Sequence, residues 1–430
     1  MGNSPHKAIL RRRLLEKSRG QVFTLIAIGL FVLIGFGALA VDVGTLWIAK
    51  HRMQSAADAA ALAGTDELSI QMTSLITSAA QSASAQNGFP NGSGSSTSSY
   101  PVSVAVYNPP QDGPFSGNAN AVQVKITEDQ GTGFMGVLGW SKVPVSANAV
   151  GITVSGGSCV YALDPSAPGT VTLSGGGTLN SSCGVYDNSN SGSALTVSGG
   201  GTITAPFVGV VGGTNLNGGG SSPPVSGIAA FGDPLAWVQA PSTGSCSSYN
   251  QKSINITTTL NPGLYCGGIK INSGANVTFN PGTYIIDGGG LTVLSSAVVN
   301  GSGVTFYLTG QNNKNSNPSS YAGINIAGSA TVNLSAPCAG ASGGIEGMLF
   351  FQDRSITTDM GSVINGGSNS TFAGAVYFPT TPLSYSGSSG SQYTLLVADT
   401  ITINGASSIG NNYSCLSGGS SLIKNASLVQ

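Results

Sequence analysis

The sequence predicts a mainly β protein with an N-terminal transmembrane helix. A small α+β module follows, and then a right-handed parallel β-helix-like solenoid, with a β-sandwich as the alternative. Three observations predict this class. Residues 22–41 are a strongly apolar run. Charged residues are only 7% of the chain while glycines number 64, which is typical of β structure with many tight turns. Short β-branched runs recur from residue 155 onward, as the stacked rungs of a solenoid require.

The apolar run VFTLIAIGLFVLIGFGALAV is long enough to cross a membrane, because about 20 apolar residues span the hydrocarbon core as a helix. Residues 1–21 carry six Lys and Arg against Glu16 alone, and the positive-inside rule places them in the cytoplasm. A cleaved secretory signal is the rival interpretation, since Ala38-Leu39-Ala40 offers a small-x-small site. The run exceeds a typical signal core, so we expect a retained single-pass anchor with the C-terminal bulk outside the cytoplasm.

Residues 42–87 contain no proline and are rich in alanine, which predicts an extracytoplasmic helix that continues from the membrane. Small residues repeat at a spacing of four in QSAADAAALAG, and this spacing allows another helix to approach closely. We expect helix docking on this surface. The candidate residues are two carboxylates and three small residues: Asp42, Ala56, Asp58, Ala60 and Gly64. The sequence leaves open whether Asp58 lies in a helix seam or on a solvated face.

Between the helix and the repeats the pattern changes twice. Residues 88–100, GFPNGSGSSTSSY, have the composition of a flexible linker. Residues 101–154 alternate apolar and polar side chains in VSVAVY, AVQVKIT and VPVSANAVGITV, which indicates half-buried strands. A short helix is expected between Gly133 and Gly139. These residues are predicted to form the small α+β module.

From residue 155 to 430 the sequence repeats loosely. TLSGGGTLN at 172–180 returns as TVSGGGTIT at 196–204, and LNPGLYCGG at 260–268 returns as FNPGTYIIDGG at 279–289. Each run is too short to bury a core alone, so it must stack on its neighbours. This predicts the Gly/Ser/Thr-rich β-solenoid.

All six cysteines lie beyond the predicted anchor, which indicates up to three disulfides in an oxidising compartment. Fifteen connectivities are possible for six cysteines. The spacings of the first two sequential pairs are compatible with disulfides. The candidates are Cys159, Cys183, Cys246, Cys266, Cys338 and Cys415.

The sequence gives little support to a catalytic site or a metal site. His6 and His51 both flank the apolar run, so the outer part lacks the general base of a Ser-His-Asp arrangement. The densest charged cluster could supply paired acids for glycoside hydrolysis, although charges at rung ends explain it better. It comprises Glu346, Asp353, Arg354 and Asp359. Asp164-Pro165-Ser166-Ala167-Pro168 is a turn sequence in which proline stands where a metal loop needs a hydroxyl. We expect no catalytic residues, metal or cofactor.

The stretch RGQVFTLIAIGLFVLIGFGALAVDVGTLWIAKHRMQSAADAAALAG, residues 19–64, resembles the N-terminal domain of TadG-like proteins of the tight-adherence (Flp) pilus assembly system. The resemblance implies a structural protein anchored in the bacterial inner membrane, with its C-terminal bulk in the periplasm. It also implies that the partners are other pilus-assembly or pilin-like membrane proteins. Two departures matter. The metal loop of the von Willebrand A domains found in some members is missing, and Leu25 stands where processed pilins have a glutamate five residues after Gly20. We therefore expect the chain to stay anchored.

The leading hypothesis is thus a structural component of pilus assembly or surface adhesion, with no catalysis. The alternative is an extracytoplasmic glycan- or surface-binding module that uses Ser, Thr, Asn and aromatic side chains such as Trp237, Tyr284 and Tyr307. A polysaccharide-degrading enzyme is the third hypothesis. The basic N-terminal segment adjoins an apolar run, so we expect it to set membrane topology and not to bind nucleic acid.

Overall fold

The computed structural model describes residues 6–313, 317–366, 369–388, 390 and 392–429, and the side chains from residue 22 onward. The basic side chains of residues 1–21 lie outside this description. Within the described residues the protein is mainly β, with a long N-terminal apolar helix and extensive parallel sheets. The chain divides into two compact units, Met1–Val154 with Asn425–Gln430, and Ser155–Lys424.

The first unit combines helices with an antiparallel sheet. Its helices are His6–Ser69 (α1), Ile76–Gln86 (α2) and Phe134–Val137 (α3), and a 3-10 turn at Thr73–Leu75 precedes α2. Its strands are Ser103–Tyr107 (β1), Ala121–Gly131 (β2) and Lys142–Ser155 (β3), in the order β1-β2-β3, followed by the last strand of the chain. The absence of proline between residues 6 and 89 lets α1 continue without a break.

Residues 88–100 are hydrogen-bonded to β2. The buried Glu128 carboxylate accepts the Ser95 hydroxyl at 2.8 Å and the Gln130 side-chain amide at 2.7 Å. The Ser95 N–H donates to the same carboxylate, and the Ser98 hydroxyl donates to the Asp129 carbonyl. This polar segment is therefore fixed to the sheet at the end from which α3 departs.

The second unit contains short strands separated by Gly, Ser and Asn turns. In chain order they are Ser158–Ala162 (β4), Val171–Leu173 (β5), Thr178–Ser181 (β6), Gly184–Asp187 (β7), Leu195–Val197 (β8), Thr202–Thr204 (β9), Val208–Val210 (β10), Thr214–Asn215 (β11), Gly220–Ser221 (β12), Pro224–Ser226 (β13), Lys252–Ile254 (β14), Thr258–Leu260 (β15), Gly263–Cys266 (β16), Ile269–Ile271 (β17), Asn276–Phe279 (β18), Gly282–Asp287 (β19), Leu291–Val293 (β20), Val298–Ser302 (β21), Val304–Thr309 (β22), Ile324–Ile326 (β23), Thr331–Ser335 (β24), Met348–Gln352 (β25), Ser362–Asn365 (β26), Thr371–Phe378 (β27), Leu383–Ser386 (β28), Thr394–Ala398 (β29), Ile401–Ile403 (β30) and Ala406–Ile409 (β31). A 3-10 turn at Ser417–Gly419 precedes the strand Lys424–Val429 (β32), which joins the sheet of the first unit.

These strands pair in parallel wherever two of them are joined in the described part of the second unit. They form sheets of fourteen, ten and four strands. The ten-stranded sheet has the order β11-β8-β5-β30-β28-β26-β23-β20-β17-β14. β27 is long enough to pair with two different sets of strands. Its first half pairs with β24 and its second half with β25 and β29.

The registers follow the sequence repeats. Val171 pairs with Leu195 and Thr178 with Thr202, the 24-residue offset of the two SGGG segments. Leu260 pairs with Phe279 at the 19-residue offset of the two NPG segments. The repeats are therefore neighbouring strands that place equivalent side chains above one another.

The order of the strands has a feature that the repeats do not predict. β4, β5 and β6 pair on one side with β7, β8 and β9, and on the other side with β29, β30 and β31 near the end of the chain. The chain thus begins this unit in the middle of the stack and builds outward to β13. It continues with β14 at the opposite end of the stack, and the later strands fill the stack back to β29, β30 and β31, which pair with β4, β5 and β6.

Residues 227–251, here called the crossing segment, connect the two ends of the stack. The segment packs along the fourteen-stranded sheet. Phe231 contacts the rings of Tyr161 and Tyr186 near its start. Tyr249 donates to Asp287 near its end. A 25-residue connection is long enough for this path because an extended chain covers about 3.3 Å per residue.

The core of the second unit is a row of aromatic and β-branched side chains that alternate with half-buried polar ones, for example in β17, β20 and β30. Aromatic rings on successive strands stack from Tyr284 to Phe306, 5.3 Å between centroids, and from Phe306 to Phe350, 5.6 Å. This in-register stacking is the physical consequence of parallel pairing at a fixed offset.

Candidate functional site

The apolar part of α1 is exposed on all sides in the first unit. Within the described residues, one segment, Val22–Ser69, is long and apolar enough to cross a membrane by its length and composition. The large side chains exposed along it are Val22, Phe23, Leu25, Ile26, Ile28, Leu30, Phe31, Val32, Leu33, Ile34, Phe36, Leu39, Val41, Val43, Trp47 and Ile48. A helix that is apolar all round is either buried in protein or surrounded by lipid. The exposed apolar surface of α1 therefore suits a lipid environment.

The alanine-rich part of α1 has the opposite environment. Met53, Ala56 and Ala60 are completely buried in the core that α1 shares with α2 and the antiparallel sheet. A Cβ added at Gly64 would lie 3.1 Å from Val122 and 3.4 Å from Ala80. The small residues that suggested an open docking surface thus let α2 and β2 approach α1 closely within the same chain. Docking of another protein's helix at these residues stays a prediction.

The sheet reaches the helix at one particularly close point. A Cβ added at Gly151 in β3 would come within 2.9 Å of the Ala61 carbonyl and closer still to the Thr65 hydroxyl. Thr65 is buried and donates to the Ala61 carbonyl at 2.7 Å. Glycine is required at this position because the β3 backbone packs directly on the α1 backbone.

For Asp58 the sequence left open a helix seam or a solvated face. It is half-buried and accepts the Gln54 side-chain amide at 2.8 Å, and the same amide donates to the Asn148 carbonyl at 2.9 Å. The carboxylate therefore holds Gln54 in position to tie α1 to β3.

Asp42 ends the apolar run and fastens the β2–β3 loop to it. It is 4% exposed, and its carboxylate accepts the backbone N–H groups of Met135 at 2.7 Å and Gly133 at 3.0 Å. These bonds, that of Met135 first, lower the pKa of Asp42 below its ordinary value, against a smaller opposing effect of burial. Asp42 is thus ionised at neutral pH and holds α3 beside α1.

The loop that Asp42 holds has an exposed apolar end. Residues 134–140, FMGVLGW, are here called the apolar tip. The exposed fractions are 50% for Phe134, 83% for Val137, 72% for Leu138 and 60% for Trp140. The tip and α1 enclose an open groove of about 500 Å³ lined almost wholly by apolar side chains of residues 31–39 and 134–138. No sequence motif predicts this feature, although the clustering of large apolar residues among three glycines was visible.

The six cysteines of the second unit form three pairs at disulfide distance. Cys159 lies with Cys183, Cys246 with Cys266 and Cys338 with Cys415, and the Cα–Cα distances are 5.6, 5.8 and 5.0 Å. The first two are the sequential pairs whose spacings were compatible with disulfides. The second fastens the crossing segment to β16.

The acidic cluster of the second unit is engaged in structural contacts. Glu346 accepts the Ser417 N–H at 2.6 Å, and Asp353 accepts the Thr309 hydroxyl at 2.7 Å and the Ser355 N–H at 2.9 Å. Glu346 precedes β25 and Asp353 follows it. The five residues of β25 alone separate them by about 13 Å at 3.3 Å per residue, beyond the range of a glycosidase carboxylate pair.

Arg354 holds the crossing segment. Its guanidinium donates to the carbonyls of Leu235 at 2.7 Å and Val238 at 3.0 Å, and to the Tyr377 hydroxyl at 2.6 Å. Tyr377 in turn contacts Asp233. The sequence singled out Arg354 as part of a charged cluster, and the structure places it between the sheet and the crossing segment.

Asp164 and two of the aromatic candidates, Tyr284 and Tyr307, have structural roles. Asp164 accepts the N–H groups of Ser166 at 2.8 Å and Ala167 at 2.7 Å, as in an Asx turn. Tyr284 and Tyr307 are buried, so their rings cannot stack on a sugar. Within the part of the chain that the structure describes, no three His, Cys, Asp or Glu side chains are grouped as metal ligands.

Comparison with known proteins gives one match. Residues 20–84 match the family Tad, described as "Putative Flp pilus-assembly TadE/G-like". The resemblance of the N-terminal part to TadG-like proteins is thereby confirmed, and the matched residues comprise the apolar run of α1, its alanine-rich part and most of α2. No curated protein and no solved structure matches the chain. The family match and the candidate membrane helix together support a membrane protein related to pilus assembly.

Proposed function

We propose that this protein is a membrane-anchored structural component of Flp (tight-adherence) pilus assembly or of surface adhesion. The observation that carries the proposal is the family match over residues 20–84. This range coincides with the apolar run and with the packed pair α1 and α2 of the first unit, here called the helical hairpin. Its partners are other pilus-assembly or pilin-like membrane proteins. Because Ala56 and Ala60 are buried within the chain, partners that bind its folded form would contact other surfaces of the first unit.

The protein lies in the bacterial inner membrane, crosses it once, and has its N-terminus in the cytoplasm. The basic residues 1–21 support this orientation through the positive-inside rule. The part after Asp42 is periplasmic. Three cysteine pairs at disulfide distance support an oxidising compartment, where such bonds persist.

The second unit is a right-handed parallel β-helix-like solenoid. Two observations support this architecture: the named strands pair in parallel throughout, and most paired residues lie 16–44 positions apart in the sequence. A closed stack of this kind presents polar turns to solvent with few charges, which suits a rigid extension outside the cell membrane.

The function is non-catalytic. The family match suggests a structural role. The separation of Glu346 from Asp353 and their engagement by backbone and hydroxyl donors give no support to a glycosidase pair.

The direct test is deletion of the coding sequence in the bacterium that carries it, with measurement of pili by electron microscopy and of attachment to glass. We expect loss of pili or of attachment, restored by the full chain and not by a chain whose residues 20–84 are replaced by an unrelated membrane anchor. Normal piliation and normal attachment in the deletion strain would contradict the proposal.

A second candidate function, glycan binding, rests on a groove of about 620 Å³ in the second unit that polar and apolar side chains line together. Side chains of equivalent positions on neighbouring strands line it: Asn280, Asn300, Ser302, Asn333, Ser335 and Thr371. Asn333 links Asn300 at 3.4 Å to Thr371 at 3.0 Å. Retention of the full chain on a glycan array, lost in Asn333→Ala and kept in Asn272→Ala, would support it. Absence of retention on any glycan would remove it.

A further inference from the structure

The apolar tip has the composition of a membrane-contacting loop. FMGVLGW contains no charged side chain, and four of its large side chains are at least half exposed. Exposed clusters of this kind on a protein surface indicate a binding surface.

The position of the tip along α1 identifies the occupant. The residues of α1 that share the groove with the tip run from Phe31 to Leu39, three to eleven residues before Asp42. At 1.5 Å per residue these positions lie about 4–16 Å along the helix from Asp42 into the apolar run. Half the hydrocarbon thickness of a bilayer is about 15 Å. The tip therefore lies beside the outer half of the span, at the depth of one lipid leaflet.

We propose that the apolar tip inserts into the outer leaflet of the same membrane that α1 crosses, as a second membrane contact of the first unit. The proposal rests on the proposed anchoring by α1 and adds a surface that the anchor alone does not require. The occupant is the lipid bilayer, because the apolar surface of the tip is continuous with the exposed apolar surface of the spanning helix.

Four backbone N–H groups of the tip, and that of Gly133 before it, are paired within the protein. In the hydrocarbon region backbone N–H groups must be paired within the protein. Met135 and Gly133 donate to Asp42, Leu138 and Trp140 donate to the Met135 carbonyl at 3.1 and 2.9 Å, and the Gly139 N–H donates to Gly136 at 3.1 Å. Gly139 has φ of +101°, which lets the chain turn back to β3.

The polar groups around the tip lie on the side toward the sheet. Lys142 pairs with Asp129 at 2.5 Å and lies over the Tyr100 ring, 5.5 Å from its centroid. On α1 the exposed Arg52 follows Asp42 by about 15 Å along the helix. Cations near a membrane surface attract the headgroups of anionic lipids, and tryptophan favours the membrane–water interface.

The test uses the emission of Trp140 in the full chain. The variant W47F/W237F keeps Trp140 as its single tryptophan and is reconstituted into vesicles of phosphatidylcholine and phosphatidylglycerol. One set of vesicles carries lipids brominated near the headgroup and another carries lipids brominated near the bilayer centre. We expect quenching of Trp140 by brominated lipid and protection from acrylamide in water.

Two variants separate the tip from other apolar surfaces. Adding V137D/L138D is expected to reduce the lipid quenching of Trp140 several-fold and to expose Trp140 to acrylamide. The matched change V225D/I256D alters two exposed apolar residues of the second unit and is expected to leave the quenching unchanged.

Three outcomes overturn the insertion of the tip: quenching by acrylamide but not by lipid, protection from both quenchers, or an unchanged lipid signal in V137D/L138D. Protection from both would mean that protein covers the tip. Alkaline extraction of the same vesicles tests the anchor separately. Release of the chain contradicts membrane spanning by α1, whereas a retained chain with a water-exposed Trp140 contradicts only the tip.

Discussion

Replacing Ala60 by leucine should open the helical hairpin of the first unit. Ala60 is fully buried where α1 packs on α2 and the antiparallel sheet, so three added carbon atoms have no space. Extra methylenes in a well-packed core typically cost about 1–3 kcal/mol. The change therefore acts on the fold of the first unit itself, before any partner is involved.

Hydrogen exchange measures the expected loss of stability in Ala60→Leu at individual segments of the chain. Exchange of core amides follows the free energy of local opening. A loss of about 1–3 kcal/mol raises the opening constant about 5–150-fold, since each 1.4 kcal/mol is a factor of ten. We expect this acceleration in peptides of α1 after residue 52 and in α2, measured by mass spectrometry on the full chain in nanodiscs.

Ala85→Leu is the matched control, because Ala85 lies on the exposed side of α2 and the same atoms are added there. We expect its exchange to match the unaltered protein within about twofold. Equal exchange in Ala60→Leu and Ala85→Leu would refute the packing of the small residues within the chain. It would restore the interpretation of Ala60 as an open docking position.

Three further perturbations test other contacts. Cys246→Ser with Cys266→Ser removes a bond that closes a 20-residue separation, so about 3 kcal/mol of stability should be lost in urea unfolding; an unchanged midpoint would show that the pair is not bonded. Arg354→Met should cost about 1.5–3 kcal/mol and open the crossing segment to protease, whereas Lys252→Met, at an exposed position, should do neither; equal protease resistance would count against the role of Arg354. The lowered pKa of Asp42 means that its hold on α3 is complete above the unfolded carboxyl pKa near 3.9 and is lost as pH falls through the lower folded value. Emission of Trp140 should therefore stay constant from pH 7 to about 4.5 and change in stronger acid, and a change between pH 7 and 5 would contradict this assignment.

Much of the fold follows from local patterns. The apolar run, the alanine-rich helix and the strands of the first unit are visible because their periodicities are long and regular. The pairing of Val171 with Leu195 follows from a 24-residue repeat that places like residues in register. These features need only information within about 25 residues of sequence.

The order of the stack could not be predicted in the same way. Strands such as β5, β8 and β30 have similar sequences, VTL, LTV and ITI, so each could pair with several others. The pairing of Val171 with Ile401 joins residues more than two hundred positions apart, and it depends on the path of the crossing segment. Contacts of Phe231, Arg354, Tyr249 and Cys246 hold the segment along that path.

The sequence indicates the small-residue surface of α1 but not which segments of the chain pack on it. Small residues at a spacing of four indicate that something approaches α1 closely, and they do not say whether the partner belongs to the same chain. Asp42 is a helix-docking candidate in the sequence, and its partners Gly133 and Met135 could not be predicted because they lie about ninety residues away. The apolar tip was missed because seven residues carry too short a pattern to distinguish a core segment from an exposed one.

The most direct test of the proposed anchoring is a pair of alkaline phosphatase fusions, one after Gln430 and one before Met1, because this enzyme is active only where disulfides form. We expect the C-terminal fusion to be active and to sediment with the inner membrane after washing at high pH, and the N-terminal fusion to be inactive. An inactive C-terminal fusion would contradict the orientation. Active enzyme in the soluble periplasmic fraction would show that the apolar run is cleaved and does not serve as an anchor.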